Sequence, residues 1–124
     1  MAHILVIEDD ELFGIYLEEI LSEAGHTMIL AKNGQEGLKR RQEGRFDLIL
    51  TDIIMPEKDG IELLRDLRNM SPQPKIITMS GGGHGIFPGD VLPITKMLGA
   101  DYTLTKPFTK NELLPVIDSL LAKS

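Results

Sequence analysis

The sequence predicts a doubly wound α/β fold, in which helices cover both faces of a parallel sheet. Short runs of apolar and β-branched residues alternate with longer segments whose apolar residues recur every three or four positions, giving five strands and five helices. Strands joined through helices run parallel, so the sheet is expected to be parallel throughout. The length of 124 residues suits one domain over 1–124.

The amino-terminal half is predicted to contain three strands and two helices. The first helix is amphipathic, and Gly25 ends it where a left-handed conformation costs least. Asn33 caps the second helix, with Glu36 three residues later, while Gly37 inside it costs about 1 kcal/mol relative to alanine. In order, the elements are a strand at 4–7, a helix at 11–24, a strand at 27–31, a helix at 34–43 and a strand at 48–51.

The carboxyl-terminal half continues the alternation. Asp59 with Glu62 caps the third helix, and Thr109 with Glu112 caps the last one. A glycine-rich loop follows the fourth strand, and Asp90 after it is placed to cap a short fourth helix. In order, the elements are a helix at 60–70, a strand at 76–79, a helix at 91–98, a strand at 102–105 and a helix at 110–121.

Composition and charge exclude several classes of protein. The chain has no cysteine, which rules out disulfides and thiolate metal sites. It has no apolar run of the roughly 18 residues that a membrane span needs, and no signal peptide, so we expect a cytoplasmic protein without membrane insertion. The net charge of −6 argues against direct nucleic-acid binding, because the basic run at 39–41 has acidic neighbours and fits a solvated helix face.

Acids, a hydroxyl and a lysine follow the predicted strands. Glu8 and Asp9 come after the first strand, Asp52 after the third, Ser80 after the fourth and Lys106 after the fifth. Open α/β sheets bind ligands at the carboxyl ends of their strands, so these groups are expected in one pocket. Clustered carboxylates repel one another, and a magnesium ion, which prefers oxygen ligands, would relieve that repulsion.

Asp52 is the best candidate nucleophile of this pocket. Carboxylates form acyl-phosphate intermediates, and a cation with Lys106 would spread the charge of a transferring phosphoryl group, while Ser80 could hydrogen-bond one of its oxygens. The alternative interpretation is structural: Glu8 and Asp9 only cap the first helix, although Asp10 alone suffices for that, and the lysine is solvated.

The order and spacing of these motifs resemble those of response-regulator receiver domains along the whole chain. The resemblance implies a flavodoxin-like sheet in the strand order 2-1-3-4-5. The matching segments are Ile4–Asp10, Asp47–Pro56 followed by Asp59-Gly60, Ile76–Ser80, Gly99-Ala100-Asp101 and Lys106-Pro107-Phe108.

The resemblance implies a phosphorylation site and its metal. Asp52 would accept the phosphoryl group, and Asp9, Asp52 and the backbone carbonyl of Ile54 would bind Mg²⁺, with Glu8 acting largely through water. The donor would be a phosphohistidine on a sensor histidine kinase or histidine phosphotransfer protein. The domain would catalyse only its own phosphorylation and dephosphorylation, so it would not be an enzyme in the usual sense.

The resemblance also implies how the signal is passed on. Ser80 matches the family's switch hydroxyl and Lys106 its lysine, with a cis peptide bond to Pro107, and a downstream effector protein would bind the switched face. The family often has an aromatic residue where Thr103 stands; Tyr102 is one position early and should face the other way. Because the chain ends soon after the last helix, we expect a stand-alone receiver without an output domain.

Three alternative functions compete with this interpretation. An aspartate-based phosphatase of the haloacid dehalogenase kind needs an acid two residues after the nucleophile, where this chain has Ile54. Because the Ile54 side chain is apolar and cannot position an attacking water, it also predicts a long-lived phosphorylated state of the receiver. A flavodoxin-like cofactor or nucleotide binder could use the loop at 81–85, which lacks the usual phosphate-binding motifs and contains His84, expected to be a loop residue. A receiver-like scaffold that is never phosphorylated is the third.

Overall fold

A computed structural model describes residues 1–52, 60–70, 73–80 and 99–122 of the protein. The described part contains five strands and four helices. They are β1 (His3–Ile7), α1 (Glu11–Glu23), β2 (Thr27–Ala31), α2 (Gly34–Glu43), β3 (Leu48–Asp52), α3 (Gly60–Arg68), β4 (Lys75–Ser80), β5 (Tyr102–Thr105) and α4 (Lys110–Ala122).

These elements match the predicted ones to within a few residues. The predicted fourth helix, the cap at Asp59 and the glycine-rich loop with His84 lie outside the described residues. Within the described residues, no helix is both long and apolar enough to cross a membrane.

The sheet is parallel throughout, in the order β2-β1-β3-β4-β5, which confirms the predicted fold class and strand order. The registers bring the strand ends level with one another. Ile7 of β1 pairs with Thr51 of β3, and Asp52 at the end of β3 pairs with Met79 of β4. All carboxyl ends therefore lie along one edge of the sheet.

Two hydrophobic clusters hold the sheet between two layers of helices. Side chains alternate between the faces of a strand, so that Ile4 and Val6 pack on one side while Leu5 and Ile7 pack on the other. The first cluster includes Leu17, Ile20 and Leu21 of α1 with Leu113, Ile117 and Leu120 of α4, and the second includes Leu63 and Leu67 of α3.

Local capping explains where several helices begin. The Asp10 side chain accepts hydrogen bonds from the backbone N–H groups of Leu12 and Phe13, at 3.0 and 3.3 Å. In α4 the Glu112 carboxylate accepts from the Thr109 backbone N–H at 3.1 Å, which is one half of the predicted capping box, while the Thr109 hydroxyl donates to the same carboxylate at 3.3 Å. These contacts fix the directions in which the chain leaves the strand ends.

Gly37 in α2 has a packing role that the sequence did not reveal. A Cβ atom built at this position would lie 2.4 Å from Cδ1 of Ile7, which is fully buried in β1. Such a distance is far below van der Waals contact. Glycine in this helix therefore permits close approach of α2 to β1.

Candidate functional site

Three carboxylates from two neighbouring strand ends form the centre of the site. Glu8 and Asp52 are almost fully buried, at 1% and 3% exposure, whereas Asp9 is exposed. Three carboxylate oxygens, one from each of these residues, lie within 4.8 Å of one another. The pairing of β1 with β3 explains this, because it places the residues after Ile7 beside Asp52.

The lysine predicted for the site reaches both buried acids. The Lys106 Nζ atom donates a hydrogen bond to Oδ2 of Asp52 at 2.8 Å and forms an ion pair with Oε1 of Glu8. Its side chain is only 17% exposed. The backbone N–H of Lys106 donates to the Ser80 carbonyl at 2.7 Å, which continues the β4–β5 pairing to the edge of the site. The peptide bond between Lys106 and Pro107 is cis.

Glu8 does not act as the helix cap. That role belongs to Asp10, whose own backbone N–H donates to Oε2 of Glu8 at 3.2 Å. The Glu8 side chain instead points into the cluster, against Lys106. The purely structural interpretation of this acid is therefore not supported by its contacts.

Burial and charge make the two partners of this ion pair unequal. Burial is the largest influence on Glu8 and, with the nearby charge of Asp52, raises its pKa from 4.5 to about 7 despite the hydrogen bond from Lys106. Burial alone would lower the pKa of Lys106, but its bonds to Asp52 and Glu8 outweigh burial and raise it. Lys106 is thus firmly charged, whereas Glu8 takes up a proton near neutral pH, well above the usual pKa of a glutamate.

The Ser80 hydroxyl is buried at the end of β4. Its Oγ atom has no hydrogen-bond partner within the part of the chain that the structure describes, and the same holds for Oγ1 of Thr78, two residues earlier on that strand. A buried hydroxyl without a partner is energetically costly. An acceptor oxygen arriving at Ser80 would relieve that cost.

Tyr102 and Thr103 lie on opposite faces of β5. Thr103 pairs with Thr78 and so shares the face that carries Ser80, since side chains of alternate residues point the same way. Tyr102 lines a surface cavity on the other face with Val116 of α4. Its ring therefore does not share a face with the Ser80 hydroxyl, as the sequence predicts.

The donor set fits a magnesium ion. Glu8, Asp9 and Asp52 offer hard oxygen ligands, the type that Mg²⁺ prefers. Three acids face one ammonium group in this cluster, so a divalent cation would balance the excess negative charge. The backbone carbonyl of Ile54, the fourth predicted ligand, lies outside the described residues.

An aromatic contact at Lys106 was not predicted. The Phe13 ring of α1 lies below the ammonium group, with Nζ 4.8 Å from the ring centroid. The sequence pattern assigned Phe13 only to the apolar face of the helix. Its position just after the Asp10 cap, in the first turn beside the strand ends, is the signal that could have suggested the contact.

Comparison with known proteins identifies the relatives of this chain. The family model described as response regulator receiver domain matches residues 4–118. The response regulator receiver protein CpdR of Brucella abortus is 35% identical over 122 residues, which cover 98% of either protein. The uncharacterized transcriptional regulatory protein YkoG of Bacillus subtilis is 34% identical, and the match covers 99% of this chain and 52% of YkoG. The chain spans about half the length of YkoG and of two further transcriptional regulators that it matches.

Solved structures agree with this relationship. The receiver domain of the Francisella response regulator 1452 superposes with a TM-score of 0.87 at 28% identity, covering 99% of this chain and 98% of that one. A response regulator receiver domain protein from Clostridium thermocellum superposes with a TM-score of 0.89 at 27% identity, covering 99% and 96%.

Proposed function

The chain belongs to the response-regulator receiver family of two-component signalling, and we propose from this premise that it is a phosphorylation-controlled switch whose acceptor is the Asp52 carboxylate. The observation that carries the proposal is the hydrogen bond of 2.8 Å from the Lys106 ammonium to buried Asp52. A lysine held against one carboxylate in an acidic pocket is suited to neutralise charge on a transferring phosphoryl group.

The reaction at Asp52 is a direct phosphoryl transfer. A carboxylate oxygen of Asp52 forms a bond to phosphorus as the phosphorus–nitrogen bond of a phosphohistidine donor breaks. The electron pair leaves with the imidazole nitrogen, which takes up a proton. Lys106 already contacts the acceptor carboxylate, so its ammonium group is placed to pair with a phosphoryl oxygen on Asp52. Positioning and electrostatic stabilisation are the main contributions that a protein makes to this reaction.

Glu8, Asp9 and Asp52 are the described residues that would hold the Mg²⁺ ion, and the family resemblance adds the backbone carbonyl of Ile54. When bound, the ion supplies positive charge to the phosphoryl oxygens and to the acids. Glu8 must be ionised for this role. Its raised pKa of about 7 therefore predicts that metal binding weakens as the pH falls below neutrality, because protons and the metal compete for the same carboxylate.

The Ser80 hydroxyl supports the switching step. Since its oxygen is buried without a partner among the described residues, a phosphoryl oxygen at Asp52 would supply an acceptor that those residues do not provide. This differential contact would favour the state in which the carboxyl end of β4 closes on the site. The face that includes β5 and α4 would then bind a downstream effector protein.

The partners follow from this chemistry. A sensor histidine kinase or a histidine phosphotransfer protein supplies the phosphoryl group, in the cytoplasm, and an effector protein reads the phosphorylated state. The protein acts on no other substrate and catalyses only its own phosphorylation and dephosphorylation. The apolar side chain of Ile54 gives no group to orient an attacking water, so the phosphorylated state is long-lived.

The test uses acetyl phosphate as donor and intact-protein mass as readout. Wild-type protein with MgCl₂ should gain the mass of one phosphoryl group, and should lose the ability to do so when EDTA replaces the metal. Asp52→Asn should gain nothing. Asp118→Asn, at an exposed position of α4, is the matched control and should behave as wild type. Unmodified wild-type protein, or an Asp52→Asn variant that still gains the group, would refute the proposal.

A further inference from the structure

The Lys106 ammonium has a third neighbour besides its two carboxylates. The face of the Phe13 ring lies 4.8 Å from Nζ, measured to the ring centroid. A cation within about 6 Å of an aromatic centroid is attracted by the negative face of the ring, and more strongly when water is largely excluded. Lys106 meets both conditions, since its side chain is mostly buried.

The Phe13 ring is itself held in place by its surroundings. It packs edge-on against Phe108, with centroids 5.3 Å apart and an interplanar angle of 90°. It also contacts the Tyr16 ring at 5.7 Å. The Tyr16 hydroxyl donates to the Phe108 carbonyl at 3.0 Å, which ties α1 to the segment that carries Lys106. The ring therefore has a fixed orientation toward the ammonium group.

We infer that Phe13 is a positioning residue, whose ring face holds the Lys106 ammonium over the Asp52 carboxylate; its consequence for phosphoryl transfer rests on the proposed function. The two carboxylates and the ring attract the ammonium in different ways. The attraction of the acids depends on what they bind, whereas the ring does not bind Mg²⁺. Phe13 thus keeps Nζ in place while the anionic partner changes from a carboxylate to a phosphoryl oxygen.

Simple core packing is the alternative explanation of Phe13. The side chain is half-buried and packs against the cluster between the sheet and the helices α1 and α4. Under that explanation any apolar side chain of similar volume would serve. The two explanations differ in whether the charge distribution of the ring matters, which substitutions that keep the volume can decide.

The first measurement is the proton chemical shift of the Lys106 ε-methylene group, in metal-free protein without a phosphodonor. Protons over the face of an aromatic ring are shifted upfield, so the Lys106 signal of the wild-type protein should lie upfield of the ε-methylene signals of the other lysines. The signal is assigned by its absence from the spectrum of Lys106→Met. Phe13→Tyr should keep this shift and Phe13→Leu should lose it. Phe46→Leu is the matched control. The Phe46 ring stacks on His3, the first residue of β1, and so lies at the end of that strand opposite to Glu8. Removing the Phe46 ring should therefore leave the Lys106 signal unchanged.

The second measurement is the rate of phosphorylation by acetyl phosphate at saturating MgCl₂. Phe13→Leu should slow it about three- to tenfold, the range that a partly desolvated cation–ring contact supports. Phe13→Tyr should stay close to wild type. Phenylalanines with increasing fluorine substitution at position 13 keep the ring while withdrawing its charge, so the rate should fall step by step along this series even if the leucine variant does not fold.

These measurements separate the inference from the proposed function. An upfield signal that survives in Phe13→Leu, or a rate unaffected by both leucine and fluorination, would overturn the positioning role while phosphorylation of Asp52 stands. A wild-type protein that accepts no phosphoryl group would refute the proposed function. The chemical shifts of the Lys106 ε-methylene group would still decide whether Phe13 positions the ammonium group.

Discussion

Replacing Glu8 by glutamine tests the electrostatics of the site most directly. The side chain is buried, and its carboxyl pKa is raised from 4.5 to about 7, first by burial and then by the charge of Asp52. Glutamine has nearly the same shape and cannot ionise. The variant therefore removes the titration while keeping the volume of the side chain.

The direction of the effect follows from proton linkage. Below pH 4.5 the carboxyl is protonated in both the folded and the unfolded protein. As the pH rises toward 7, the unfolded chain releases its proton first, so the wild-type protein loses stability across this window. A pKa difference of this size corresponds to about 3 kcal/mol in total, as an order of magnitude. Lys106 adds no opposing change here, because its pKa is raised from 10.5, so its contribution is lost only as the pH rises above that value.

The assay is urea unfolding at several pH values between about 5 and 8 in EDTA, analysed by linear extrapolation. The free energy of unfolding of Glu8→Gln relative to wild type should rise by about 2 kcal/mol across this range, whatever constant offset the substitution brings. Glu19→Gln, on the exposed face of α1, controls for the loss of one negative charge. A difference between Glu8→Gln and wild type that does not change with pH would refute the burial argument.

Three further predictions concern single side chains. Lys106→Met leaves buried Glu8 without its cationic partner. At pH 8 in EDTA we therefore expect the free energy of unfolding to fall by about 3 kcal/mol, and MgCl₂ should recover part of this loss in the same urea assay. Ser80→Ala removes a buried hydroxyl without a partner among the described residues, so the resting protein should gain about 1 kcal/mol while acetyl phosphate labels it more slowly; a destabilised resting protein would contradict this. Gly37→Ala should lower the melting temperature, because the added methyl group overpacks against Ile7. Overpacking costs about 1–3 kcal/mol, which outweighs the gain in helix propensity. A higher melting temperature would show that the Ile7 side chain moves aside to accommodate the methyl group.

Much of the fold is determined by patterns that are local in sequence. The alternation of apolar runs with helical periodicity specifies strands and helices, and caps such as Asp10 and Thr109 mark where helices begin. The family resemblance added the strand order, which the structure confirms. A parallel sheet brings the carboxyl ends of its strands to one edge, so the sequence alone predicts that Asp52 and Lys106 lie close together.

The roles of individual acids needed the tertiary structure. Glu8, Asp9 and Asp10 are adjacent and chemically alike, yet one is buried against Lys106, one is exposed and one caps α1. Burial depends on which neighbouring strands and helices cover a residue, and pKa follows burial. The raised pKa of Glu8 could therefore not be read from its place in the sequence.

By itself, the sequence determined the elements of the described residues, the parallel sheet and the residues that could meet at the strand ends, because these depend on periodicity, caps and connectivity. Only the tertiary structure decided how closely they meet. The Phe13 ring lies under Lys106, and Gly37 lies against Ile7, because segments distant along the chain pack together. Such contacts depend on distances of a few tenths of an ångström between packed side chains, which no local pattern of residues encodes.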